Sequence, residues 1–251
     1  MANKILHLIT AETIVTTKSP FVRLGILCSL FTCLFAVNIC SRVYFATPFY
    51  YTSQLLMSAM ILNIYPVMLV ASFLGGVEHG SNTWSVRLAS KRDHVFISKA
   101  LVVFLASCLT TVMLLLFGLF FDLVSGGFLL TAFQVVLFQC FATILALMFW
   151  GLVALCTSMV LKNTWYGFIA CLLYYYAEQF FAQALSSTIS FYLPVWNMKS
   201  VFIHIFDQTG AFGFVQNEYG ALMLSTVVCI IYYIVLVLLT VIMFLKAPLE
   251  T

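Results

Sequence analysis

The residues able to do chemistry in this chain of 251 residues are few, and they fall in two places. One is a charged stretch that begins at Glu78 and ends at Lys99. The other is Glu178, which lies within a long apolar run. A carboxylate in an apolar run is costly, and it marks a functional site unless water reaches it. Neither place shows the nucleophile and base side by side that covalent catalysis needs.

Motifs for nucleotide, metal or hydrolytic chemistry are absent from the sequence. It contains no Gly-x-x-x-x-Gly-Lys-Ser/Thr loop, no His-Glu-x-x-His and no Gly-x-Ser-x-Gly. The four histidines are scattered, and the eight cysteines lie in apolar runs without the close pairs of a zinc site. We therefore expect no catalytic residue, no metal and no cofactor on this chain, and no enzymatic activity by itself.

The composition indicates whether the chain is a water-soluble protein or a membrane protein. Hydrophobic residues make up 64% and charged residues 8%, with a mean hydropathy of +1.12. Soluble domains carry roughly 45–50% apolar and about 25% charged residues. A soluble enzyme, a disordered segment and a nucleic-acid binder are thus excluded, and no nucleic acid is expected as a partner. The composition predicts an all-α polytopic membrane protein.

The intervals between charged residues predict where the chain crosses the membrane, since a spanning helix needs about 20 apolar residues. An amphipathic interfacial helix is predicted over 2–18, and Pro66 predicts a kink in the second span. The six predicted spans, within one transmembrane domain of 1–251, are 22–41, 53–76, 100–121, 129–160, 164–185 and 222–245.

The distribution of Lys and Arg predicts the orientation. If the N-terminus is cytoplasmic, nine of the eleven basic residues lie inside and only Arg42 and Lys199 lie outside. Cytoplasmic ends of spans carry the excess of basic residues. Both termini and the loop 77–99 are therefore predicted to be cytoplasmic, and 186–221 extracellular, in a multi-pass protein of the cell (plasma) membrane.

The loop 77–99 carries apolar residues among its cations. A positive-inside anchor explains the cations but not Trp84 and Leu88, which favour a protein contact. The order of residue types resembles the coupling region of the type 2 ABC-exporter permeases. That pattern is a Glu ending the second span, a Gly and a Thr, a Leu-rich turn, an Arg, and a Lys opening the third span. Here the matching residues are Glu78, Gly80, Thr83, Leu88, Arg92 and Lys99.

The resemblance extends to the layout of the chain, and its size and N-terminal start are most similar to the small bacterial permeases of lantibiotic-immunity and bacitracin-type export. It implies a dimer of cytoplasmic ABC ATPase subunits that use ATP and Mg²⁺, and a second permease, identical or related. It also implies a membrane-active peptide antibiotic, or another amphipathic or lipid-like cargo, drawn from the lipid bilayer. The implied ATPase-coupling residues are Glu78, Thr83, Trp84, Arg87, Leu88, Arg92 and Lys99.

The predicted extracellular segment 186–221 is rich in aromatic residues and too polar to span. Val201 and Ile205 stand four residues apart, as on one face of a short helix. In the resembled family this region borders the exit path, although a packed cap without cargo contact is an equal alternative. The candidate cargo path comprises Glu178, Gln179, Gln183 and Trp196.

Two other functions are compatible with a polytopic helical chain. A secondary transporter would carry ionisable residues and broken helices at the membrane midplane, and the sequence offers one glutamate. A non-catalytic scaffold subunit of a membrane enzyme would need no site of its own. The amphipathic loop 77–99 favours the permease over both.

The predicted topology can be tested by cysteine labelling. In a variant without the native cysteines, Ser85→Cys should react with a membrane-impermeant maleimide only after the cells are permeabilised. The reason is that the basic residues hold this loop inside. Labelling of Ser85→Cys in intact cells would contradict the orientation.

Overall fold

The computed structural model describes residues 10, 14, 18–42, 48–76, 92–127, 133–184, 192–206 and 222–246. These residues form helices and short turns, without a strand among them. The helices are α1 (Pro20–Arg42), α2 (Tyr50–Met57), α3 (Ile64–Gly76), α4 (Arg92–Ser125), α5 (Phe133–Leu161), α6 (Thr164–Ala184), α7 (Pro194–Phe206) and α8 (Leu222–Lys246). The 3₁₀ helix Ser58–Met60 follows α2.

The predicted helical membrane class is confirmed. Three stretches are long and apolar enough to cross a membrane: Val22–Arg42, Val95–Ser125 and Phe133–Leu161. A fourth is added if the bent pair α2–α3 counts as one span. The remaining two predicted spans coincide with α6 and α8, and six spans stay a prediction. Large apolar side chains cover the outside, as a hydrocarbon solvent permits, with Phe31 71% exposed. Of the predicted interfacial helix 2–18, only Thr10, Ile14 and Lys18 lie within the described residues, and each is helical.

The second predicted span is broken rather than kinked at its proline. Residues 61–63 separate Met60 from α3, and the two parts meet at an angle of 42°. Pro66 lies in the first turn of α3, where a missing N–H removes no helical hydrogen bond. The predicted site of the kink at Pro66 was therefore wrong by three to five residues.

Backbone and side-chain hydrogen bonds stabilise this break. The Ser58 carbonyl accepts the N–H groups of Ile61 and Leu62 at 3.0 and 2.8 Å. The Tyr175 hydroxyl of α6 donates to the carbonyl of Met60, a backbone group that the interrupted helix leaves without a partner. The Asn63 amide accepts the Thr32 hydroxyl of α1 at 2.7 Å and donates to the Ser58 hydroxyl at 3.2 Å, which ties the break to α1.

α3 is the central helix of the fold, with ten of its 13 residues buried. It packs mainly against α5, and also against α1, α4 and α6. Gly151 of α5 faces both α3 and α4: a Cβ there would lie 3.3 Å from a methyl group of Val67 in α3 and 2.5 Å from a methyl group of Val103 in α4. The core includes the fully buried side chains of Trp150 and Tyr175, whose rings meet edge to face at 5.2 Å.

α2 is fastened to the C-terminal end of α4. The Asp122 carboxylate accepts the N–H groups of Tyr51 and Thr52, both at 2.9 Å, and the Thr52 hydroxyl. It thus caps the N-terminus of α2 from a neighbouring helix. Gly118 allows the contact, since a Cβ there would lie 2.4 Å from the Cα of Thr52. The chain turns after α4 at Gly126, whose φ is +76°.

Candidate functional site

Those predicted coupling residues that the structure describes lie at one end of the helices. This loop end is defined by the C-termini of α3 and α5 and the N-termini of α4 and α6; the far end is the opposite one. Five predicted coupling residues lie outside the described residues: Glu78, Thr83, Trp84, Arg87 and Leu88. Arg92 is the first residue of α4, and its side chain is outside the description. Lys99 is the coupling residue whose surroundings the structure defines.

Lys99 joins α4 to the end of α3. Its side chain is fully buried, and its ammonium donates to the carbonyl of Leu74 in the last turn of α3. The last four carbonyls of a helix have no partner within it, and the C-terminus carries partial negative charge. A buried cation at this place therefore satisfies the helix end and compensates its dipole. The helix α4 begins at Arg92, earlier than the predicted start at 100, because this pairing lets a lysine lie inside the helix bundle.

Two glycines bring the end of α3 against α5 and α6. A Cβ on Gly75 would lie 2.5 Å from the carbonyl oxygen of Leu155 and 2.9 Å from the Cβ of Ser158. A Cβ on Gly76 would lie 2.6 Å from the backbone nitrogen of Thr164. All three distances are shorter than real Cβ contacts allow, so only glycine fits at these two positions. With Lys99, these contacts fix the loop ends of four helices to one another.

The turn between α5 and α6 completes the loop end. Lys162 adopts a left-handed φ of 52°. The Asn163 side chain accepts the N–H groups of Trp165 and Tyr166 at 2.9 and 3.1 Å and so caps α6. Trp165 and Tyr166 are exposed beside it, 49% and 66%, and Trp and Tyr are enriched at membrane interfaces.

At the far end, Glu178 has a structural partner that the sequence did not reveal. Its carboxylate is 5% exposed, and one oxygen accepts the N–H groups of Val195 and Trp196 at 2.5 and 3.2 Å. Glu178 of α6 therefore caps the N-terminus of α7, which opens with Pro194. The carboxylate is held by peptide N–H groups, not left among lipid headgroups.

Lys199 lies near Glu178 in the structure, and sequence analysis did not include it in the candidate site. It lies one turn into α7, and burial lowers the pKa of its ammonium to about 8, while the nearby negative Glu178 opposes the shift. Its nitrogen also lies 5.7 Å from the centroid of the Tyr175 ring. The signal available was a lone lysine in an aromatic segment, but its separation from Glu178 along the chain hides the pairing.

The rest of the candidate cargo path is only partly assembled. Trp196 contributes its backbone N–H to the cap, and its side chain is half-buried. Gln179 and Gln183 lie on α6, with side chains outside the description. The helix predicted from the spacing of Val201 and Ile205 is confirmed as α7. A hydrogen bond of 3.0 Å between the hydroxyls of Ser225 and Ser200 holds α7 against α8.

Within the described ranges, no group of three or more His, Cys, Asp or Glu residues is placed to hold a metal ion. Comparison of the chain with models of known protein families, with curated proteins and with solved structures finds no match. The candidate site is therefore defined by its geometry: a loop end locked around Lys99 and a far end capped by Glu178.

The cap predicts how α7 responds to a change at Glu178. Glu178→Ala removes the acceptor of two N–H groups, and caps are worth about 0.5–2 kcal/mol. Amide hydrogen exchange at Val195 and Trp196 should therefore accelerate roughly 2- to 30-fold. Glu178→Gln keeps a carbonyl oxygen and serves as the matched control, with a smaller acceleration. Equal exchange in wild type and Glu178→Ala would show that the carboxylate does not hold α7.

Proposed function

We propose that the chain is the membrane-spanning permease subunit of an ATP-driven exporter, with the ATPase on a separate chain. The observation that carries the proposal is the lock at the loop end. Residues 77–91 join α3 to α4, whose adjoining ends are tied together by the buried Lys99 ammonium. Gly75 and Gly76 extend this tie to α5 and α6. A force on the loop would thus reach four helices at once.

In the proposed mechanism, the loop docks in a groove of the ATPase subunit. Trp84 and Leu88 are its apolar anchors, with Arg87 and Arg92 on the polar rim. Two ATPase subunits hydrolyse ATP with Mg²⁺, and their closure pushes on two permeases, identical or related. The turn around Lys162 forms the second, smaller contact. Glu78 and Thr83 complete the loop.

The proposed orientation places the loop end in the cytoplasm. It is supported by the nine-to-two distribution of Lys and Arg. It also agrees with the direction of the helices: Gly25 near the start of α1 faces Pro66 of α3, whereas the Tyr50 hydroxyl donates to the carbonyl of Cys40 near the end of α1. With α6 and α8 as spans, the chain crosses a bacterial cell membrane six times, and both termini lie on its cytoplasmic side.

The proposed cargo is a membrane-active peptide antibiotic or another amphipathic, lipid-like molecule. Its exit would pass the far end, where α7 lies between α6 and α8. The Glu178 cap, the bond between Ser200 and Ser225 and the buried side chains of Val195, Met198 and Phe202 attach α7 there.

The broken α2–α3 span favours one other function, a secondary transporter, because such proteins use broken helices at the membrane midplane. The groups that meet at this break are Asn63, Ser58, Thr32 and Tyr175. They are neutral and bonded to one another or to the backbone. A coupling-ion site would instead need a carboxylate or open carbonyls there, so the permease remains the better supported function.

The loop can be tested through ATPase retention on tagged, detergent-solubilised permease. Trp84→Ala should weaken binding roughly tenfold or more, because a buried aromatic anchor is commonly worth about 2 kcal/mol and 1.4 kcal/mol is tenfold. Arg92→Ala is the matched control; it should have a smaller effect that depends more on salt.

Membrane insertion should be intact in both variants, since the other basic residues still orient the chain. Unchanged retention in a Trp84→Ala, Leu88→Ala double variant would mean that the loop only anchors the topology. Robust ATP hydrolysis by the permease alone, free of other ATPases, would equally contradict the proposal.

A further inference from the structure

A groove lies between α1 and the break that precedes α3. Leu27, Cys28 and Phe31 form one wall, and Leu62, Tyr65 and Pro66 form the other. Its volume is about 480 Å³, and it is open on its outer side.

The groove exists because the two helices touch on either side of it. At one contact, the Cβ position of Gly25 is 3.5 Å from the Pro66 carbonyl oxygen. At the other, the Thr32 hydroxyl donates to the Asn63 amide at 2.7 Å. The 42° bend between α2 and α3, at residues 61–63, lies beside the second contact.

The polar atoms beside the groove are already engaged within the protein. The Thr32 hydroxyl is bonded to Asn63, and the Tyr65 hydroxyl is bonded to that of Tyr176 on α6. The remaining lining is carbon and sulfur. Water needs two to four polar partners to occupy a cavity, so it has little reason to stay here. A peptide or sugar would leave its own polar groups unsatisfied.

The groove is continuous with the surface that faces the membrane. Leu27 and Phe31 on its rim are 64% and 71% exposed, and their outer sides belong to the apolar face of α1, which crosses the bilayer. From Asn63 to Gly76 the helix rises about 20 Å, so the groove opens at hydrocarbon depth rather than among headgroups. Hydrocarbon is the medium in contact with its opening.

We propose that this groove is a binding site for one acyl chain of a membrane phospholipid. The chain fills a concave apolar surface at the break and replaces the side-chain contacts that a straight second span would make with α1. Close packing favours binding of the acyl chain, because the lining of an empty groove would lack dispersion contacts along its whole length. The site does not depend on the proposed transport function.

The test uses the full chain in vesicles of phosphatidylcholine and phosphatidylglycerol that contain a trace of phosphatidylcholine with a photoreactive diazirine in the middle of one acyl chain. After irradiation, labelled peptides are mapped by mass spectrometry. Residues 27–32 and 62–66 should be labelled roughly fivefold more than the equally exposed, convex face of α5 around Phe138, which is about 1 kcal/mol of preference. Equal labelling of the two surfaces in the wild-type protein would overturn the proposal.

Two substitutions on α1 sharpen the test. Cys28→Trp fills the groove and should reduce labelling there severalfold, with labelling near Phe138 unchanged. Leu24→Trp, one turn away on the exposed face and outside the groove, is the matched control and should leave both unchanged. Undiminished groove labelling in Cys28→Trp would overturn the proposal. So would efficient disulfide dimerisation through Cys28 as the only cysteine, because a second copy would then occupy the groove.

Discussion

An interrupted helix inside a membrane protein must have its freed backbone groups satisfied by other parts of the chain, because hydrocarbon offers no hydrogen bonds. In this protein the interruption is at residues 61–63, between two helices that together have the length of one span. The Ser58 carbonyl accepts the N–H groups at the break, and the Tyr175 hydroxyl donates to the carbonyl of Met60. Asn63 joins the break to α1 through the Thr32 hydroxyl and bonds the Ser58 hydroxyl.

The break also divides the second span into two parts with separate attachments. α2 is tied to the end of α4 through Asp122, and α3 is tied to the start of α4 through Lys99. One long helix therefore holds both parts, one at each end. In the proposed function, motion enters at the Lys99 end of α4.

Charge placement predicted most of the helices, since a charge inside hydrocarbon is expensive. The predicted spans 129–160, 164–185 and 222–245 match α5, α6 and α8 to within a few residues. The same reasoning did not predict the burial of Lys99 or the partner of Glu178, and the physical cause is the same for both. Each of these charges is buried against a helix terminus that another segment of the chain provides, and a terminus of that kind is invisible in a window of sequence.

The break was hidden for a related reason. Asn63 and Ser58 are small polar residues in an apolar run, and nothing local distinguishes them from polar residues that a helix tolerates. The kink was predicted at Pro66, which is the wrong residue, because a proline in the first turn of a helix does not disrupt the helix. The loop between α3 and α4 is a different case. Its residue order is the basis for proposing an ATPase partner, and the helix ends that flank it are the basis for the proposed mechanical link.

The central claim is that side chains around Asn63 hold the broken span together. It is tested most directly by the free energy of unfolding of the purified protein in bicelles, compared between Asn63→Ala and Asn38→Ala. Asn38 lies on the exposed face of α1, where its amide accepts from Arg42. Asn63→Ala should lower the free energy of unfolding by about 1–3 kcal/mol, because it removes two hydrogen bonds, to the Thr32 and Ser58 hydroxyls, whereas Asn38→Ala should change it by less than about 0.5 kcal/mol. Equal stability of the two variants would contradict the account.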